Sequence, residues 1–157
     1  MKTSSPELQR FHIAFEQMIS TRNLKAVWDY YKIDRTGLTE LELISYDQRL
    51  FALNWHELQE ELASEFQTKA HPATAKFIFE QVTSGNIPAF EHKSFSRKCV
   101  WALADIGTEE AKSYLEALSQ SEDEHVLVQC NLSSAILGAD EFCRLARRLH
   151  RSLAVAK

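Results

Sequence analysis

An all-α fold, a right-handed α-α superhelix of about nine helices, is predicted for this chain of 157 residues. Three observations predict it. Apolar residues recur at i, i+3, i+4 and i+7, the period of a helix with one buried face. Oxygen-bearing caps and glycines punctuate the chain at helical intervals. Residues 99–122 overlay residues 130–153 after a shift of 31 positions. No convincing run of strict apolar–polar alternation points to a strand.

The elements follow in order. Ser5-Pro6 supplies an N-cap and a proline for the first helical position of a helix over 5–20. A second helix over 22–34 carries Leu24, Val27, Trp28 and Tyr31 as its expected buried stripe. Thr39-x-x-Glu42 has the capping-box pattern, in which hydroxyl and carboxylate each satisfy a free amide, and opens 39–53. Asn54-x-x-Glu57 is a close relative of that pattern and opens 54–69, with Trp55, Leu58, Leu62 and Phe66 facing inward. His71-Pro72 starts 72–84, whose stripe is Ala75, Ile78, Phe79 and Val82. The connection 85–93 holds Pro88 and is the candidate mobile loop. Helices over 94–106 and 108–119 follow, the latter with Ala111, Tyr114, Leu115 and Leu118 on one face. Ser121-x-x-Glu124 opens 122–137, and 139–153 carries Phe142, Leu145, Ala146 and Leu149. Gly37, Gly85, Gly107 and Gly138 fall at turns or helix ends.

Composition narrows the classes of function. A chain of this size buries enough surface to fold as one domain over 1–157 without metal or disulfide. The formal net charge of −4 weighs against non-specific nucleic-acid binding, which needs clustered cations. Charge is unevenly spread: residues 38–68 hold seven acids and one base, 105–141 nine acids and one base, and 142–157 five bases and no acid. Cys99, Cys130 and Cys143 form no C-x-x-C pair, which fits a reducing compartment, and the expected location is the cytoplasm. Met1 to Pro6 leads into no apolar run of signal-peptide type, and Val100 to Ala104 is far short of a bilayer span, so no membrane role is expected.

The repeat carries the resemblance. In the overlay Cys99 meets Cys130, Ala104 meets Ala135, Gly107 meets Gly138, Glu110 meets Glu141 and Leu118 meets Leu149. A period near 30 residues with two short helices per unit marks a solenoid, because one hairpin cannot bury both its faces. Arg97-Lys98-Cys99-Val100-Trp101-Ala102-Leu103-Ala104-Asp105-Ile106-Gly107-Thr108-Glu109-Glu110-Ala111 resembles a short HEAT-like repeat, clearest over 94–120 and 122–153. The segment Asn54-Trp55-His56-Glu57-Leu58-Gln59-Glu60-Glu61-Leu62 is similar to small bacterial single-domain HEAT-like proteins. That resemblance implies a protein-binding role, and some proteins of the type are immunity proteins that neutralise toxins.

Candidate sites are weighed against plainer roles. Glu57, Glu60, Glu61 and Glu65 form an acidic face, with His56 one turn before Glu60. Such a face steers a basic partner; the plainer role is a solvated surface with acids favoured near the helix N-terminus. His56-Glu57-Leu58-Gln59-Glu60 is not a zinc motif, since Glu60 stands where the second histidine belongs. Asp34-Arg35-Thr36-Gly37 lacks the acids of a calcium loop. Trp101 and Asp105 lie one turn apart, as an aromatic plane and a carboxylate would to hold a cationic base; the plainer role is packing by Trp101 and helix capping by Asp105 near Thr108. Arg144, Arg147, Arg148 and Arg151 form a basic strip, or the polar outer face of a terminal helix. Cys99 and Cys130 read as small core residues.

No catalytic constellation, metal site or cofactor is expected. The function predicted is a non-enzymatic protein-binding protein, an immunity-type inhibitor covering a basic toxin's functional surface through Trp55, His56, Glu57, Glu60, Glu61, Glu65, Trp101 and Asp105. The alternatives are a glycosylase-like enzyme acting on DNA and an adaptor that binds through the arginine strip.

Overall fold

The computed structural model describes residues 5–53, 55–84 and 92–122, together with Val126 and Cys130. All regular structure among these residues is helical. Seven α-helices run in chain order: α1 Pro6–Ser20, α2 Leu24–Trp28, α3 Glu40–Phe51, α4 Gln59–Lys69, α5 Ala75–Thr83, α6 His92–Ile106 and α7 Glu109–Leu118. Short 3-10 helices follow α2 at Asp29–Lys32 and precede α5 at Pro72–Thr74. The helix expected over 122–137, apart from Glu122, Val126 and Cys130, the helix expected over 139–153, the loop 85–93 up to residue 91, Gly85, Gly138, Cys143 and the arginine strip lie outside the described residues.

Local chemistry sets most boundaries where the sequence places them. The Ser5 hydroxyl accepts from the Leu8 amide at 3.1 Å, and Pro6 occupies the first turn of α1. The Thr39 hydroxyl accepts from the Glu42 amide, while the Glu42 carboxylate accepts from the Thr39 amide at 2.8 Å. The Thr39 amide, and the Thr39 hydroxyl that also donates to it, hold the Glu42 carboxyl below its ordinary pKa. Gly107 ends α6 with a φ of +62°, a left-handed residue that costs glycine little, and Thr108 then caps α7. The His71 ring caps the turn before α5 by accepting from the Ala73 amide at 3.1 Å.

Two expected boundaries are corrected. The helix predicted over 22–34 is only five residues of α2, and four residues of 3-10 helix continue it. A 3-10 turn takes three residues, so Tyr30 stands directly over Val27, and these two are buried. Leu24, Trp28 and Tyr31, expected inside, are 50%, 49% and 40% exposed. The helix predicted from residue 54 begins instead at Gln59.

The chain divides into two compact units, Met1–Leu62 and Ala63–Lys157. In the first, Phe11 and Phe15 of α1 meet Tyr46 of α3 edge-on, with centroids 4.8 and 4.9 Å away. Tyr30 completes the cluster and donates its hydroxyl proton to the buried carboxylate of Asp47. Arg49 lies over Phe15 and pairs with Glu16 at 2.6 Å, closing the rim with a cation. In the second unit α6 is the most enclosed of the described helices: Phe95, Cys99, Val100, Ala102, Leu103, Ala104 and Ile106 are all buried. It packs on α5 and α7, which also touch each other through stacked rings of Phe79 and Tyr114 at 4.5 Å. Cys99 and Cys130, equivalent in the repeat, are both buried.

Candidate functional site

The residues that carry the candidate site begin where α3 ends. Past Phe51 the chain turns, and α4 does not start until Gln59. A helix end leaves carbonyls without partners, and a helix start leaves amides. His56 satisfies one of each. Its Nδ1 accepts from the Leu58 amide at 3.1 Å, and its Nε2 lies 2.8 Å from the Leu50 carbonyl oxygen. A nitrogen that accepts an amide proton carries none itself, so the proton resides on Nε2 and is donated to Leu50. Gln59 adds a second tie, donating from Nε2 to the Leu53 carbonyl at 2.8 Å.

His56 is therefore a corner brace between α3 and α4. It is 4% exposed, which removes it from the acidic face on which it was expected. The late start of α4 is the cause, because residues 55–58 do not follow a helical wheel. Burial holds the imidazole below its ordinary pKa, against the Leu50 hydrogen bond that pulls upward. Trp55, expected on the buried stripe, is half-buried and meets the His56 ring edge-on at 5.3 Å.

The four glutamates do not behave alike. Glu57 and Glu61 are exposed, and among the described residues no cation pairs with either. Glu60 is half-buried. Glu65 is also half-buried and accepts from Lys69 at 2.7 Å, an intrahelical ion pair that spends its charge locally. The open acidic surface thus contracts to Glu57 and Glu61, beside Trp55 in the chain.

Trp101 and Asp105 lie on the narrow open strip of α6. Asp105 is exposed and accepts from Gln67 Nε2 of α4 at 2.9 Å. The Thr108 hydroxyl caps α7 itself, so the capping role considered for Asp105 falls to Thr108. Trp101 is half-buried, its indole N–H enclosed with no hydrogen-bond partner among the described residues. The Arg97 guanidinium lies 6.0 Å from its ring centroid. A cation already over the indole and an amide already on the carboxylate leave poor accommodation for a cationic base.

Two surface features were not legible as such. A shallow cavity of about 260 Å³ lies against α1, floored by Phe11, Ala14 and Ile33 and rimmed by Glu7, Arg10, Asp34 and Thr36. The Asp34 carboxylate accepts from the Thr36 amide at 2.9 Å, which lowers its pKa. The other feature is the exposed stripe of Leu24, Trp28 and Tyr31; the charged residues around it, Lys25, Asp29 and Lys32, were the available signal. Among the described residues no group of three or more metal-ligating side chains converges, and no helix is long and apolar enough to cross a membrane. Both buried thiols are pushed up by burial, Cys130 to about 12. Comparisons with protein-family models, curated proteins and solved structures found no match to the chain.

Proposed function

We propose that this chain is a non-enzymatic, protein-binding helical-repeat protein of the HEAT-like kind, and that it acts as an immunity-type inhibitor covering the functional surface of a basic toxin. The observation that carries the reading is the pair of exposed carboxylates, Glu57 and Glu61, that no cation of the described residues neutralises. They follow a half-buried indole, Trp55, on a corner braced by His56. Unpaired exposed charge accelerates encounter with an oppositely charged partner, and a partly buried aromatic beside it slows release. The packing of α6 against α5 and α7 supports stacked helix pairs as the architecture. Glu60, Glu65, Trp101 and Asp105 stand at the margin of this surface rather than its centre, since Glu65 and Asp105 are engaged internally.

The test is affinity capture of basic proteins with the wild-type chain and with the Glu57→Lys, Glu61→Lys double variant as baits. The expected result is a complex that weakens as salt rises, and roughly tenfold or more loss of affinity in the double variant. An unchanged affinity overturns the assignment.

A further inference from the structure

We infer that the exposed stripe of Leu24, Trp28 and Tyr31 is a self-association surface, and that its occupant is the Glu57–Glu61 patch of a second copy of this chain. The three side chains follow the spacing i, i+4, i+7 along α2 and its 3-10 extension, and each is between 40% and 50% exposed. Monomer surfaces scatter single apolar residues freely, but a contiguous ridge containing Trp and Tyr has the composition of an interface centre. The ridge is held rigidly from behind. Val27 and Tyr30 of the same segment are fully buried, and Tyr30 is hydrogen-bonded to Asp47.

Charge selects the occupant. Arg22 and Lys25 are exposed at the start of the ridge, and neither makes an ion pair among the described residues. Asp29, the acid on the same segment, is paired with Lys32 at 2.5 Å. Arg35 lies over the Tyr31 ring at 5.2 Å with its Nε and Nη2 buried, so it packs against the far end rather than offering its charge outward. The ridge therefore calls for a surface with unneutralised carboxylates and apolar area. The chain carries exposed carboxylates of that kind in Glu57 and Glu61, close in sequence to the half-buried Trp55, and neither has a cation among the described residues. Among the described residues no ion pair joins the two patches. Both are left open to another copy. The ridge is small beside the roughly 1,200–2,000 Å² of a stable complex, so the association is weak and concentration-dependent. It uses the same carboxylates as the proposed inhibitory surface without needing a foreign partner, so the purified chain by itself separates the two readings.

Sedimentation velocity of the full chain across a concentration series at low and high salt is the test. The expected mass rises above 18.0 kDa with concentration at low salt and returns to it at high salt. Trp28→Ala weakens association by roughly tenfold or more. Arg22→Glu with Lys25→Glu gives a monomer, as does Glu57→Lys with Glu61→Lys. Mixing the two double variants restores association, because each then offers the charge the other lacks. All these positions are exposed, and circular dichroism checks that the variants fold. A wild-type chain that stays monomeric at every concentration overturns the inference, as does association that ignores the charge reversals or a mixture that fails to associate. A monomer that floats with phosphatidylserine vesicles assigns the ridge to lipid instead, and a monomer that ignores them assigns it to another protein; either result overturns the second copy.

Discussion

Residues 24–31 and residues 99–106 are both helical, both rich in apolar side chains, and oppositely disposed. In α6, Cys99, Val100, Leu103 and Ile106 are enclosed, and among the described residues the open side runs through Arg97, Lys98, Trp101 and Asp105. In α2 and its 3-10 extension, Val27 and Tyr30 alone turn inward while Leu24, Trp28 and Tyr31 project. Fifteen residues of uninterrupted α-helix keep one phase in α6. In α2 and its extension the same spacing marks the outward side, because Tyr30, hydrogen-bonded to Asp47, turns with Val27 toward the interior. Apolar spacing identifies residues that share a face, not whether that face is turned inward.

The sharpest way to break this contrast is within α2 itself. Tyr30→Ala removes a fully enclosed ring and costs about 3–5 kcal/mol, whereas Trp28→Ala, a larger truncation two residues away, stays within about 0.5 kcal/mol. Urea unfolding midpoints compare the pair, and equal losses would contradict the outward placement of Trp28. Leu103→Ala in α6 costs about 2–5 kcal/mol by the same measurement, since a buried cavity opens there.

The corner between α3 and α4 gives a smaller effect with a pH signature. His56→Ala removes a donor and an acceptor and costs about 1–3 kcal/mol at neutral pH. The folded imidazole binds its proton less readily than the unfolded one. Below about pH 6.5 the unfolded chain therefore takes up more protons, and stability falls as pH falls toward the folded value. The contribution is whole above that range and is lost through it on acidification. Stability measured between pH 7.5 and 5 declines in the wild type, and the decline is shallower in His56→Ala. The smallest effect is Thr39→Ala, at about 1 kcal/mol, from loss of one half of the capping box.

Elements that rest on local bonding were readable from the chain. Ser5-Pro6, Thr39 with Glu42, Gly107 with Thr108 and His71-Pro72 each do what their types and spacing predict, because their partners are within a few residues. The reading of Cys99 and Cys130 as small core residues matches their burial. The candidate site was harder, because its charges are decided by distant geometry. Nothing in Asn54-x-x-Glu57 announces that α4 starts only at Gln59, or that His56 reaches back to Leu50. Lys69 lies at a spacing from which it takes Glu65 out of the acidic face, which was legible, but Gln67 reaching Asp105 across 38 positions was not.

The thiol of Cys99 has a use beyond packing. It is wholly enclosed, and burial suppresses its ionised form, the one that reacts with alkylating reagents. Its modification must wait for α6 to part from its neighbours. The labelling rate of that one peptide, followed by mass spectrometry, then works as a stopwatch for transient opening of the second unit, with no probe added to the chain.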